Sequence, residues 1–493
     1  MEKVYKKLKE KKYETLIFII YAILSCIIMI FHESWKDEAQ AWMISRDLSF
    51  FDIFKQLKYE GHPILWYYII SIFSKCNMPY YTIKIVSWFI MIVSAGILLY
   101  KSPFKKSIKT GFVFTYGFLY LYPSIARSYC LIVLAIELIA IFYQDRDQRP
   151  IRYILSIALL ANTHVLMYGL VGVLLVEFYL EEIFKYKKKI FKQKRILISL
   201  VVIIILLIVT LLPLIGCIGT NVDTRTIKTK NHIVQSILLL IYCFVMFVSG
   251  YNVVIIGFSI MSLSAIMYWG IKYRFKDFLL ITISIIWQVF VIVCIYTGIS
   301  EQKMVTIFFI VLLFWWRNYN NVKISDDKKV LRIIIKCSVI ILLAINIMYS
   351  FGMSIAEILY PYSQAKEVSQ YIEKNIPTES IFVASNVYST SAIIPYIKDY
   401  KFWNPKAKEY YTYVTINEDS KIIDNYNELI TNIKSTFNQN DRLYLIYSND
   451  WDGEFIEYLK ENEYIELIYK KDELLLFDDE KYEIYKINDK IFE

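Results

Sequence analysis

The sequence predicts a polytopic α-helical membrane protein with a small extracytoplasmic α/β domain at its C-terminal end. Three observations predict it. The composition is 57% hydrophobic and is gathered into eleven long apolar runs; Lys and Arg cluster in alternate connections between those runs; and the tail is acidic, with mixed helix and strand periodicity.

The apolar runs lie at about 15–31, 82–100, 110–124, 127–143, 152–163, 165–181, 195–216, 251–270, 277–297, 303–316 and 331–350. Each approaches the length needed to cross a hydrocarbon layer about 30 Å thick, the shorter ones by extending into flanking residues. Ahead of the first run, "MEKVYKKLKEKKYE" carries six lysines. The run behind it is too long for a cleavable signal and lacks a small-residue cleavage site, so a retained helix is expected.

Orientation follows from the positive charges. "KSPFKKSIK" (101–109), "QDRDQRPIR" (144–152), "EEIFKYKKKIFKQKR" (181–195), "IKYRFKD" (271–277) and "RNYNNVKISDDKKVLR" (317–332) all fall on the cytoplasmic side with the N-terminus if there are eleven spans. That solution requires the apolar stretches 63–74 and 232–249 to lie along the outer interface. The loop 32–81, the turns near Arg127, His164 and Lys303, and the whole tail are then extracytoplasmic.

Charge also divides the chain into a membrane domain, 1–360, and an outer domain, 361–493. The first holds 40 Lys+Arg against 21 Asp+Glu and the second 15 against 25, so the formal charge of +9 is +19 in one part and −10 in the other. The basic balance belongs to cytoplasmic loops and does not indicate nucleic acid. The seven cysteines all lie in or beside apolar runs, without CxxC spacing, so no disulfide framework is implied.

In the tail, "SQAKEVSQYIEKNI" places Ala365, Val368, Ile372 and Ile376 at helical spacing and stops at Pro377. Strand-like "SIFVA", "RLYLIYS", "YIELIYK" and "YEIYKI" follow, interleaved with helix-like "YNELITNIKSTF" and "GEFIEYLKE". No P-loop, dinucleotide fingerprint or nucleophile elbow occurs there, so the domain is assigned no chemistry.

The first outer loop draws attention because "FHESWKDEAQAWMISRDLSFF" (31–51) puts Asp37 and Glu38 side by side where the chain leaves the bilayer. Carboxylates near an apolar medium are costly unless a partner, metal or substrate compensates them. Two short amphipathic helices are expected. Asp37 caps the first, which rests Ala41, Trp42 and Ile44 on the membrane surface; Ser49 begins the second, with Phe50, Phe51, Ile53, Phe54 and Leu57 as its apolar face. In "YEGHPILWYY", Gly61 and Pro63 break the helix and return Glu60 and His62 toward the acidic pair.

These features resemble the GT-C superfamily of membrane glycosyltransferases, in particular bacterial relatives of the protein O-mannosyltransferases and aminoarabinose transferases. The matching features are the Asp37-Glu38 pair, the "AQAWMISRDLS" helix, the "EGHPILWYY" turn, and a membrane domain followed by an outer domain. In motif the resemblance is dense over residues 32–70. It implies a transferase that takes a sugar from a polyprenyl-phosphate-linked donor, with inversion, to a glycan, lipid or protein acceptor outside the membrane. Asp37 is then the general base and Glu38 its helper or a positioning group.

The leaving group is a lipid phosphate, so cations should face the same cavity. Arg127, in "YPSIARSYC", is the first choice because guanidinium grips phosphate at two points; Lys303, in "GISEQKM", has a similar position, and Tyr129 and His164 are nearby polar candidates. The family's second outer loop carries an acid where this chain reads "SIARSY". A divalent metal, Mg or Mn, is left open, with Asp37 and Glu38 as its ligands if one is bound.

The bland readings are specific too. Asp37 and Glu38 can be a solvated helix cap, Arg127 a snorkelling interfacial residue, His62 a turn residue satisfying backbone, and Glu60, Lys303, His164 and Tyr129 span-end anchors. Glu137 and Glu177, inside spans, read either as proton-relay or as structurally paired acids. A flippase of lipid-linked sugars is the alternative function, but internal repeats and Gly/Pro-broken spans are not evident. An inert anchor for an outer binding domain would not need eleven spans.

Overall fold

The structure is a computed structural model that describes residues 11–215, 234, 253–295, 300–319, 329–416, 423, 425–448 and 453–493. Helices cover all eleven apolar runs: α1 (Lys12–Phe31), α5 (Thr82–Lys101), α6 (Lys106–Val113) with the turns that continue it to Ser124, α8 (Tyr129–Phe142), α9 (Pro150–Ala161), α10 (Tyr168–Tyr186), α11 (Lys194–Ile215), α12 (Val253–Tyr273), α13 (Phe275–Phe290), α14 (Glu301–Asn318) and α15 (Lys329–Leu359). Among the described residues five helical stretches, Lys12–Phe31, Thr82–Lys101, Lys194–Ile215, Phe275–Val293 and Val330–Leu359, are long and apolar enough to cross a membrane. The chain is a multi-pass membrane protein.

Between α1 and α5 the first loop folds into three helices, α2 (Lys36–Asp47), α3 (Phe50–Glu60) and α4 (Leu65–Ser74). At ten residues α4 is about 15 Å long, half of what a crossing needs. It is tied to α2, where Ser45 Oγ donates to Tyr67 O at 3.1 Å and Ser71 Oγ to Ser45 O at 3.3 Å. The other stretch expected at the interface, 232–249, lies outside the described residues apart from Val234.

Two expectations for this loop are corrected. Trp35, not Asp37, is the N-cap of α2, and Glu38 completes the cap by accepting the Trp35 N–H at 3.2 Å. Ala41, Trp42 and Ile44 do not rest on the membrane; all three are buried, and Trp42 packs on Tyr80. The reason is that α4 and Tyr80 pack on this helix, with the C-terminal domain adding to the cover, so its apolar face meets protein. On α3 the Ser49 cap forms and Ile53 and Leu57 are buried, while Phe50 and Phe51 remain exposed. Gly61 then sits at φ 67°, the left-handed conformation that ends a helix at little cost to glycine.

The third apolar run is not a continuous α-helix. Residues Tyr116–Leu121 form a π-helical turn before the three-residue α7 (Tyr122–Ser124). Asn346 Oδ1 accepts the Tyr116 N–H at 2.9 Å, and the Tyr21 hydroxyl donates to Phe118 O at 2.9 Å. Side chains from neighbouring helices thus answer the irregular backbone, as a membrane interior requires. Gly117 admits Val305 and Phe309 here; a Cβ would stand 2.6 Å from Val305 Cγ1.

The tail folds around a six-stranded sheet of order β3-β2-β1-β4-β6-β5. Its strands are β1 (Ile381–Ala384), β2 (Lys401–Asn404), β3 (Glu409–Tyr410), β4 (Leu443–Ser448), β5 (Ile465–Lys470) and β6 (Tyr482–Ile487). β1 pairs in parallel with β2 and β4, whereas β3, β5 and β6 pair antiparallel. Every residue of β1 is buried, as a central parallel strand should be. Helices α16 (Ala365–Asn375), α17 (Val387–Thr390), α18 (Tyr426–Thr436) and α19 (Gly453–Glu461) complete the domain. The four strands and three helices expected from the sequence are all present; β2, β3 and α17 are additions.

This domain sits on the first loop. Glu480 Oε1 accepts the Lys36 N–H at 2.8 Å, the Trp35 ring meets Phe477 at 4.7 Å, and Lys366 pairs with Glu33 at 3.8 Å. Further along α2, Gln40 forms a two-way pair with the Val414 backbone, accepting its N–H at 2.9 Å and donating to its carbonyl at 2.5 Å. Thr412 Oγ1 also donates to Asp47 Oδ2 at 2.5 Å.

Candidate active site

Asp37 and Glu38 are consecutive on a helix, so their side chains leave it about 100° apart and meet different surroundings. Asp37 is partly exposed and accepts from the Arg127 guanidinium Nη1. Glu38 is wholly buried and accepts three donors: the Ala126 N–H at 2.7 Å, the Trp35 N–H, and His32 Nε2 at 3.0 Å. The adjacent acids therefore hold one turn between α7 and α8 from two sides, Asp37 through the Arg127 side chain and Glu38 through the preceding backbone.

Behind Glu38 runs a second buried layer. His32 Nδ1 bonds Glu357 Oε1 at 2.9 Å, and the Tyr120 hydroxyl donates to Glu357 Oε2 at 2.7 Å. Both imidazole nitrogens face carboxylates, which is the pattern of a protonated ring donating twice. Burial alone would lower the His32 pKa, but Glu38 and Glu357 outweigh it and raise it to about 9. The π-helical turn presents Tyr120 to this cluster, and Glu357 stands near the C-terminal end of α15 just before the C-terminal domain.

On the open side of Arg127, Nη2 donates to His62 Nε2 at 3.1 Å. That nitrogen must then carry a lone pair, which fixes the His62 tautomer with its proton on Nδ1. Burial, with the charges of Arg127 and Lys303, holds the His62 pKa down at about 3, so the ring is neutral. Its ring lies 5.0 Å from that of His164. His164 Nδ1 accepts the Leu166 N–H at 3.2 Å, which leaves the proton on Nε2, 3.3 Å from the Tyr129 hydroxyl. The Tyr129 ring in turn lies 6.0 Å from the guanidinium carbon.

Glu60 is the other buried acid. It accepts from Gln40 Nε2 at 2.9 Å, the Tyr67 hydroxyl at 3.2 Å and Gln56 Nε2 at 3.4 Å. Burial outweighs these donors and raises its pKa to about 7. Glu480, across the domain contact, is raised to about 8 for the same reason.

The structure thus gathers Asp37, Arg127, His62, His164 and Tyr129 into one contact chain. Lys303 joins it through its charge on His62, and Glu60 through Gln40, one helical turn after Asp37. Sequence reasoning did not find His32, Glu357 or Gln40. His32 was visible only as a polar residue one position past a span, and Glu357 as an acid near the end of another.

The intramembrane acids resolve differently. Glu177 is clasped by Arg317 at 2.5 and 3.2 Å and by Lys276 at 2.8 Å, so it is structurally paired. Glu137 is fully buried in α8, apart from this cluster.

The oxygens of the acidic pair are already engaged within the protein. Glu38 is engaged by three donors and Asp37 by a guanidinium, so the acidic pair is already compensated by hydrogen bonds and positive charge. Among the described residues no group of three or more His, Cys, Asp or Glu side chains is arranged to hold a metal.

A first loop of short helices bearing a paired acid, on a polytopic membrane domain capped by a C-terminal domain, defines the class of membrane fold. Solved structures share it along the whole chain. The aminoarabinose transferase ArnT from Cupriavidus metallidurans in the apo state matches with a TM-score of 0.54 at 10% identity, over 97% of this chain and 98% of that one. ArnT of the same organism bound to undecaprenyl phosphate matches with a TM-score of 0.50 at 10% identity, over 96% and 97%. No family model and no curated relative matches the sequence. The likeness is one of fold.

Proposed function

We propose that this protein is a membrane glycosyltransferase that moves a sugar from a polyprenyl-phosphate-linked donor to a hydroxyl acceptor on the extracytoplasmic side, with inversion at the anomeric carbon. The observation that carries the reading is the Asp37–Arg127 pair, a partly exposed carboxylate suited to act as base in direct contact with a guanidinium suited to bind phosphate. The likeness to a fold solved with undecaprenyl phosphate supports the donor class.

In this reading the acceptor oxygen attacks the anomeric carbon and passes its proton to Asp37. The bond from that carbon to the phosphate oxygen breaks, and polyprenyl phosphate leaves with the electron pair. Arg127, with Lys303 beside it, neutralises the charge gathering on the phosphate. The donor also competes for Arg127, because a guanidinium holds phosphate in two-point geometry. Binding then draws Arg127 from Asp37 and frees the carboxylate to act as base only when donor is present.

Glu38 is a positioning residue, buried away from any substrate. His62 faces the donor side as a neutral hydrogen-bonding group with His164 and Tyr129 buried behind it, and Glu60 borders the acceptor side. No step uses a metal. The eleven-span topology with the N-terminus cytoplasmic and residues 361–493 outside belongs to the same proposal.

Purified protein incubated with a panel of polyprenyl-phosphate sugars tests it. Release or transfer of sugar, insensitive to EDTA, is expected. Movement of labelled lipid across a vesicle bilayer with no turnover of any donor would establish the flippase instead.

A further inference from the structure

Beside the contact between α2 and residues 412–414, the C-terminal domain carries a cavity of about 400 Å³ at the β3 edge of its sheet. This is within the size range of small-molecule sites. Its wall is aromatic: Tyr400, Phe402, Tyr411 and Tyr413 line it, all buried or half-buried. At its rim Tyr410 is 51% exposed, and Lys401 Nζ lies over the Tyr410 ring at 5.5 Å. Glu409 is exposed next to it.

The cavity is joined to the helix that carries Asp37 by its own lining. Thr412 and Val414 both line it, and these residues hold Asp47 and Gln40 of α2. Gln40 also bonds Glu60, and it follows Asp37 by three residues, so the two share a helix face about 5–6 Å apart. A molecule seated against Tyr410 and Tyr411 lies next to residues 412–414, whose Thr412 and Val414 are hydrogen-bonded to the helix that carries Asp37.

The chemistry of the wall selects the ligand. Tyrosine rings offer a broad apolar face with a hydroxyl at the edge, suited to a molecule that is hydroxyl-rich at its rim and C–H-rich on its faces. Lys401 and Glu409 give one charge of each sign, so the lining has no excess of cations that would gather a phosphate or a polyanion. As a peptide-binding edge, β3 offers only two residues, too short a template for strand addition.

We propose that this cavity is an acceptor subsite that binds an uncharged saccharide, which makes the acceptor a glycan. The inference rests on the glycosyltransferase reading for its purpose, but saccharide binding is measured independently of turnover.

The test uses the full chain in nanodiscs and a panel of neutral hexasaccharides, with cello-, laminari-, malto- and chito-oligosaccharides as probes, titrated by calorimetry. At least one is expected to bind, and Tyr410→Ala, which truncates an exposed ring, should weaken it about five- to tenfold. Glu409→Gln, which leaves the aromatic wall intact, should weaken it less. Hydrolysis of the polyprenyl-phosphate sugar without acceptor should be equal in wild type and Tyr410→Ala. No binding across the panel, binding undiminished in Tyr410→Ala, or binding of extended peptides in place of saccharides would overturn the subsite. Absence of both release and transfer of the donor sugar in wild type would overturn the enzyme reading, while the saccharide titration would still decide the cavity.

Discussion

The Ala126 N–H donates to Glu38 Oε1 at 2.7 Å, and the next residue, Arg127, donates to Asp37. Two neighbours on one helix thus grip two neighbours on one turn. The geometry separates the two acids: a buried one fixes the turn, and a partly exposed one meets the cation that turn presents.

Glu38→Gln should therefore lower kcat without raising KM for the donor. The amide keeps an acceptor for Ala126 but turns an N–H donor toward Trp35 N–H or His32, so the turn shifts by a fraction of an ångström. Steady-state kinetics on matched, folded protein would show the split. A loss confined to KM would instead place Glu38 in contact with donor.

His32 makes stability depend on pH in a defined direction. Its pKa rises from an ordinary 6.5 to about 9 on folding, so the folded state holds the proton more tightly. The stabilisation is complete below about 6.5 and is lost as pH climbs through about 9. Thermal melts should show Tm falling across that interval, and His32→Gln should have a lower Tm at neutral pH with a flatter profile.

Glu60 acts over a lower window. Its carboxyl rises from an ordinary 4.5 to about 7, so it too favours the folded state when protonated, and that contribution fades between those values as pH increases. Glu60→Gln retains an acceptor for Gln40 and removes this slope. Glu60→Ala leaves buried donors unsatisfied and should cost about 1–3 kcal/mol in denaturant unfolding.

Much of this arrangement was legible in the sequence, and the boundary of legibility is physical. Hydropathy located the helices, because a span must be apolar along its length. The Gly61 and Pro63 break and the adjacency of Asp37 and Glu38 were enough to bring Glu60 and His62 toward the acidic pair. The difference between the two acids was not legible, since it depends on His32, Ala126 and Glu357, the last more than three hundred positions away. The expectation that Trp42 faces lipid failed for the same reason: amphipathicity shows that a face is buried but not what buries it. β3 was missed because two residues carry no periodicity.

Arg127→Lys should preserve the charge yet lose two-point recognition. Donor KM is expected to rise about tenfold or more, with a smaller change in the rate at saturation. An unchanged KM would mean that another group, such as Lys303, carries the phosphate.

The most direct measurement is single-turnover sugar transfer by Asp37→Asn beside wild type, with donor binding measured on the same preparations. The account predicts that the variant folds, binds the polyprenyl-phosphate sugar at least as well because Arg127 is no longer paired with a carboxylate, and transfers nothing detectable above background. Transfer at a rate within a few-fold of wild type would contradict it and remove Asp37 from the chemistry.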